Sequence, residues 1–361
     1  MKVAINTGGG DAPGLNAVIR AATISACELG WEIWGIRYGY RGLLDMEPEE
    51  GLVRLDRKAV RGITFLGGTI LGTANRGNPF EFPVKTGTGI EPRDRSDELV
   101  EAFHKHQFDA LIAIGGDGSI RIAHKLWQKG MPLLCVPKTI DNDLPETTVT
   151  FGFDTAVSTA TEAIDKLHST AESHERVMVV EVMGRYAGWI ALNAGISATA
   201  DVILIPEIPF DIEKVCEKIR QREETGRHFS IVVAAEGAVP IGGGMLVKGK
   251  KEVGREVVLG GIAEHVAREI TAGTGKETRS LVLGHLQRGG CPTTFDRLVS
   301  LRFGAAAVRC LEKGELGVMV ALDPPDVKTV SLDKVVGRMK SVPLDCDTVI
   351  TARSLGISFG D

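Results

Sequence analysis

Aromatic residues are scarce, 5% of the 361 residues, so the chain lacks the stacking platform on which single-stranded nucleic acids are held. Long apolar runs are missing too. No stretch of about 18 uncharged apolar residues occurs, and no membrane-spanning helix is expected. The six cysteines, Cys27, Cys135, Cys216, Cys291, Cys310 and Cys346, are scattered and form no C-x-x-C pair. That argues against a zinc cage or a redox dithiol and reads as free thiols in a reducing cytosol. The start, Met1-Lys2-Val3-Ala4-Ile5-Asn6, lacks the basic, apolar and small-residue succession of an export signal, so a cytoplasmic protein is expected. An excess of positive charge is also absent. The net charge of -5 disfavours a general nucleic-acid binder and requires any anionic ligand to be met by a local basic pocket.

What is present is ordinary globular composition, 43% hydrophobic and 25% charged, over a length greater than one domain of roughly 100 to 200 residues. Two domains sharing a cleft are therefore expected. Aliphatic runs at Val3–Ile5, Glu32–Ile36, Ala110–Ile114, Leu133–Val136, Val177–Val182, Val202–Ile205, Ile231–Ala235 and Val318–Leu322 read as buried strands. Helical patterns lie between them. Leu15, Val18, Ile19, Ala22, Ala26 and Leu29 share one face at the 3.6-residue period, and Ser96 is a candidate cap before Leu99, Val100 and Phe103. This alternation predicts doubly wound α/β layers with mainly parallel strands and ligands at the strand C-termini. Gly77 to Arg95 reads as a surface excursion, Gly237 to Gly254 as a second interruption, and a change of domain falls near Leu144 to Thr150.

Three turns carry candidate chemistry. Gly8-Gly9-Gly10-Asp11-Ala12-Pro13-Gly14 follows a strand and precedes a helix, so its amides and the helix dipole suit an anion; a structural turn is the plainer alternative. Gly115-Gly116-Asp117-Gly118-Ser119 repeats that geometry. There a carboxylate can hold Mg²⁺ while amides and the Ser119 hydroxyl meet phosphate oxygens, the alternative being a tight turn capped by Asp117. Pro137-Lys138-Thr139-Ile140-Asp141-Asn142-Asp143 sets two carboxylates two residues apart. On extended backbone both would share a face, one as base toward a hydroxyl, the other on metal or substrate; an Asx-turn competes with that reading. Met183-Gly184-Arg185-Tyr186-Ala187-Gly188, Thr278-Arg279 and Gly284-His285-Leu286-Gln287-Arg288-Gly289-Gly290 offer guanidinium forks suited to phosphate, though isolated arginines usually serve surface ion pairs.

Taken together, TGGGDAPGLNAVIR, GGDGS, PKTIDND, MGRYAGW, AAEG and ETRSLVLGHLQRGG resemble, in order and spacing, the phosphofructokinase family, from the N-terminus to about Arg309. The resemblance implies two Rossmann-like doubly wound domains with the active site in the cleft between them. Residues 1–146 plus about 287–335 would bind the donor and Mg²⁺, and 147–286 plus the C-terminal tail would bind fructose 6-phosphate. It also implies a homotetramer whose subunits complete one another's sites, with neither nucleic acid nor membrane as partner. By motif, Gly10, Gly116, Asp117, Gly118 and Ser119 line the donor phosphates, Asp117 serving the metal, while Tyr40, Arg76 and Lys138 resemble further donor-site residues. Asp141 is the expected base, Thr139 contacts the transferred phosphoryl group, Asp143 supports them, and Arg185 stabilises charge in flight. Met183, Gly184 and Glu236 resemble sugar contacts, and His285 and Arg288 are expected on the 6-phosphate, with Arg176 and Arg279 reaching it from a neighbouring subunit.

Two positions bear on the donor. Gly118 is the residue of ATP-dependent members, where pyrophosphate users carry aspartate; Lys138 is typical of pyrophosphate users. Glycine leaves room for the ATP α-phosphate, so ATP is expected and pyrophosphate is the alternative. Arg20 and Arg57 match two effector-site arginines of allosteric members, whereas Ile24 and His168 stand where arginine is usual, which predicts no ADP activation. A GGDG-type lipid or NAD kinase would lack PKTIDND and GHLQRGG. An inactive sugar-phosphate-binding subunit would be expected to lack some of Asp117, Thr139, Asp141 and Arg185.

Overall fold

Each of the eight aliphatic runs is a strand in the computed structural model, which describes residues 1–74, 77–87, 89–247 and 259–361. In chain order the strands are β1 Lys2–Thr7, β2 Glu32–Ile36, β3 Leu52–Leu55, β4 Phe82–Thr86, β5 Gly89–Arg93, β6 Ala110–Gly115 and β7 Leu133–Pro137, then β8 Val177–Val182, β9 Val202–Leu204, β10 Ser230–Ala235, β11 Thr278–Val282, β12 Val318–Asp323 and β13 Asp326–Ser331. The helices are α1 Leu15–Glu28, α2 Arg41–Leu44, α3 Pro48–Gly51, α4 Ser96–Lys105, α5 Asp117–Gln128 and α6 Phe153–Ser173, followed by α7 Trp189–Ser197, α8 Ile212–Glu224, α9 Ile262–Thr274, α10 Thr294–Glu312, α11 Leu332–Val335 and α12 Asp347–Ser354.

Two main sheets result. The larger runs β13-β12-β7-β6-β1-β2-β3, parallel through its five inner strands with antiparallel edges; the smaller runs β11-β8-β10-β9, all parallel. Alternation along the strands supplies both faces of each sheet with apolar side chains. In β6, Ala110, Ile112 and Ile114 join α1 and α10 in one core, while Leu111 and Ala113 join α4 and α5 in the opposite one. The smaller sheet is likewise sandwiched, by α6, α7 and α12 on one side and α8 and α9 on the other. The last residues return to it, Ser358 bridging Val202.

Three local expectations need correction. Ser96 begins α4 rather than capping it: Arg95 is the cap residue, and Asp94 accepts from the Ser96 amide at 2.9 Å and its hydroxyl at 2.6 Å. The excursion from 77 to 95 holds the antiparallel pair β4–β5, hidden by prolines at paired positions 83 and 92. β3, β11 and β13 were not expected from the sequence. β11 is an edge strand whose side chains are largely exposed, so it lacks the apolar signature of a buried strand.

In each sheet the chain leaves one strand, builds to one side, then returns to the other. These reversals fall between β1 and β6 and between β8 and β11, the places where an open α/β sheet leaves a crevice at its carboxyl edge. From the first emerge Gly8–Gly14 and Gly116–Ser119; from the second, Met183–Gly188 and Leu283–Arg288.

Candidate active site

Loop packing is tight at the first crevice. The Gly8 amide donates to the Ile114 carbonyl at 2.8 Å, and the Ser119 side chain fills the seam between the two loops. A Cβ on Gly8 would stand 2.8 Å from Ser119 Oγ, and one on Gly115 only 2.2 Å from Ser119 Cβ. Gly14 adopts φ 108°, and a Cβ there would come within 2.3 Å of Ser300 Oγ, so α1 can start against α10 only with glycine at this turn. Gly118 is different: beyond its chain neighbours and its own helix, no atom lies within 4 Å of where its Cβ would be. Beside it Asp117, first residue of α5, is held by Arg121, whose Nε donates to Oδ1 at 3.0 Å.

Behind these loops lies the turn after β7. Its carboxylates do not lie on extended backbone as expected; Asn142 between them is left-handed at φ 52°, a conformation asparagine tolerates, and the turn itself brings the two acids together. The Asp141 amide donates to Thr139 Oγ1 at 3.1 Å, and Thr150 Oγ1 donates to the Thr139 carbonyl at 2.6 Å. Oδ1 of Asp141 and Oδ1 of Asp143 are both shielded from solvent and accept no hydrogen bond among the described residues. Burial raises both carboxyls, Asp143 to about 6 with Asp141 as its second cause; for Asp141 the positive charges of Arg288, Lys138 and Arg185 oppose the rise. Lys138 is buried and brought down to about 8 by that burial and by Arg288. Its Nζ lies 3.5 Å from the Cβ position of Gly9 and 3.9 Å from that of Gly116, so one ammonium touches both glycine loops.

The second sheet contributes from above. Arg288, at the end of a short 3₁₀ turn after β11, lies against Gly10 and donates from Nη1 to the Asp11 carbonyl at 3.0 Å. The buried Gln287 accepts from the Met183 amide at 3.3 Å and so ties that turn to the loop after β8. A Cβ on Gly237 would sit 1.9 Å from the Arg185 carbonyl, and the Gly237 amide donates to Gly184, itself at φ 134°, at 3.1 Å. Glu236 is therefore fixed beside the Arg185 loop. Its carboxyl is raised by burial and restrained by Arg185.

The structure thus unites Gly10, Gly116, Asp117, Lys138, Thr139, Asp141, Asp143, Arg185, Glu236 and Arg288. Others stand apart. Tyr40 is buried in the core of the larger sheet, where burial raises its phenol. Arg76 lies outside the described residues. His285 is exposed on its turn. Arg176 precedes β8 and Arg279 is near the start of β11, both paired with Glu277. They sit at the amino edge of the smaller sheet, about 20 Å of strand away from Met183 and Arg185 at its carboxyl edge. Residues missed by sequence reasoning are Gln287 and Glu207, which shape the loops, and Lys340, considered below; a buried glutamine in GHLQRGG was the one available signal.

Residues 2–311 match the family profile described as Phosphofructokinase. The chain belongs to the phosphofructokinase family. Within it, the ATP-dependent 6-phosphofructokinase of Chloroflexus aurantiacus is 51% identical, the match covering 100% of this chain and 98% of that protein. The pyrophosphate–fructose 6-phosphate 1-phosphotransferase of Amycolatopsis methanolica is 49% identical, over 95% of this chain and 96% of that one. Among solved structures, Pichia pastoris phosphofructokinase in the T-state superposes with a TM-score of 0.80 at 28% identity; all of this chain is covered, but it spans only 37% of that longer one. The phosphofructokinase fold accounts for the paired crevices, one per sheet.

The family implies Mg²⁺. Among the described residues no cluster of three or more His, Cys, Asp or Glu forms a cage. Mg²⁺ takes one or two carboxylates and lets substrate phosphates and water complete its shell. Asp117 at the mouth of the glycine loops, with the unbonded Asp143 Oδ1 deeper in, is a donor set of that kind.

Proposed function

We propose that the protein is an ATP-dependent 6-phosphofructokinase, moving the γ-phosphoryl group of ATP to the 1-hydroxyl of fructose 6-phosphate to give fructose 1,6-bisphosphate and ADP. The observation that carries this reading is the half-buried Asp141 carboxylate, one oxygen of it shielded from solvent and unbonded, standing where the two crevices meet under the charges of Lys138, Arg288 and Arg185. A carboxyl raised by burial is a better base near neutrality than a solvated one. Asp141 takes the hydroxyl proton as the oxygen bonds to phosphorus and the bond to ADP breaks. Lys138 and Arg185 hold the charge spread over the phosphoryl oxygens, the positioning and electrostatic work that dominates such transfers. Bound through Asp117 and the donor phosphates, Mg²⁺ would neutralise part of that charge.

The donor domain is read as 1–146 plus about 287–335, the acceptor domain as 147–286 plus the tail. Arg176 and Arg279, remote from their own chain's crevice, support a homotetramer in which each acceptor site borrows them from a neighbour. A cytoplasmic location is part of this reading; among the described residues no helix is long and apolar enough to cross a membrane. Open space at Gly118 supports ATP. Pyrophosphate is the second reading, favoured by Lys138 between the glycine loops and by the name of the Amycolatopsis relative. Purified protein assayed with fructose 6-phosphate and each donor decides: turnover with ATP is expected, and robust turnover with pyrophosphate alone overturns it.

A further inference from the structure

Lys340 lies outside every motif, in an irregular stretch between α11 and α12. Its ammonium has three donors, and all three are used: on Asn142 Oδ1 at 2.7 Å, the Thr147 carbonyl at 3.0 Å and the Thr148 carbonyl at 3.1 Å. Its backbone amide donates to the Asp143 carbonyl at 2.8 Å. One residue of the tail therefore grips the catalytic turn from both its side chain and its backbone, at the left-handed Asn142 that separates the two acids. Asn142 Oδ1 also accepts from the Thr150 amide at 3.2 Å.

The same stretch reaches the other crevice. Trp189 Nε1 donates to the Lys340 carbonyl at 2.9 Å, and the Lys340 ammonium stands 5.8 Å from the Trp189 ring centre. Two residues on, the Val342 amide donates to Glu207 Oε1 at 2.8 Å, and Glu207 accepts from the Gly188 amide at 3.1 Å. Trp189 and Gly188 begin α7 directly after the loop of Arg185. Partial burial brings the Lys340 ammonium down to about 8, with Asp143 opposing the fall; a half-buried lysine spent on three neutral oxygens needs a reason beyond filling space.

We propose that Lys340 is a positioning residue for phosphoryl transfer: the strap Lys340–Val342 fixes the Asp141–Asp143 turn and registers it against the Arg185 loop. The inference rests on the kinase reading above. Misplacement of a reacting group by about 1 Å costs on the order of 100-fold in rate. Lys340→Ala is therefore expected to lose about 10- to 100-fold in kcat while KM for fructose 6-phosphate stays within about threefold.

The measurements are steady-state kinetics, rescue of Lys340→Ala by ethylammonium with tetramethylammonium as a control without N–H donors, and hydrogen exchange of the Thr150 amide by mass spectrometry. Partial recovery with ethylammonium only, and faster Thr150 exchange, are the expected results. Wild-type kcat, a loss confined to KM, or a loss indifferent to ethylammonium would overturn the proposal. Lys340→Met keeps the apolar stem over Trp189 and serves if the alanine variant does not fold; unchanged kcat and unchanged Thr150 exchange in it overturn the proposal equally. A wild-type protein inactive with both donors would sink the kinase reading instead, while the exchange result still judges the clamp.

Discussion

Lys138, Asp141 and Asp143 stand at the carboxyl end of β7, Lys138 buried and one oxygen of each half-buried acid shielded from water, with Arg288 of the other sheet acting on Lys138 and Asp141. Arg176 and Arg279 stand at the amino edge of the smaller sheet, with Arg279 exposed and both salt-bridged to Glu277. Burial in the first group moves every titration and makes each charge depend on its neighbours. The exposed Arg279–Glu277 pair is weak and open to exchange for another anion, while the Arg176 pair is partly screened from water. Under the proposed function, the first group forms the reacting centre and the two outer arginines, remote from it, are the ones a neighbouring subunit would borrow.

The sharpest way to break this contrast is at the centre. Asp141→Asn is expected to lower kcat by about 10²- to 10⁴-fold with the fold retained, checked by turnover alongside circular dichroism; near wild-type velocity would end the base assignment. Gly118→Asp introduces a carboxylate into open space, so folding should be spared while kcat/KM for ATP falls about 100-fold and pyrophosphate use does not. At the rim, Arg279→Ala should raise KM for fructose 6-phosphate about tenfold with kcat within about threefold. Mixing it with Asp141→Asn subunits after dissociation and reassembly should bring back sites of parental KM if the arginine serves a neighbour; a KM that stays raised argues that it acts within its own chain.

The smallest effect concerns pH. Asp143, raised to about 6 in the folded protein against 3.8 for a free carboxyl, binds its proton more tightly when folded. Its contribution to stability is full below about pH 4 and is lost as pH rises through 6. Asp143→Asn does not titrate, so its Tm relative to the parent should rise between pH 5 and pH 8, by a few degrees. The acid limb of kcat/KM in the parent belongs to the Asp141–Asp143 pair as a unit and should lie above the ordinary carboxylate range, since burial raises both groups.

The eight buried strands and the doubly wound order were legible because strands covered on both faces must be continuously aliphatic. β11 was not, since an exposed edge strand need not be. The glycine loops and PKTIDND announced themselves by residue type, yet their geometry did not: the two acids meet through a left-handed Asn142, not through strand alternation. Lys340 was invisible because its partners are backbone carbonyls and an amide brought near by folding, 192 to 198 residues away along the chain. Contacts of that kind leave no local pattern.

The open volume beside Gly118 has a consequence for the choice of donor. Beyond its own helix nothing packs against that position, so replacing its hydrogen with a carboxylate would change what the loop offers an incoming polyphosphate while leaving the surrounding architecture as it is.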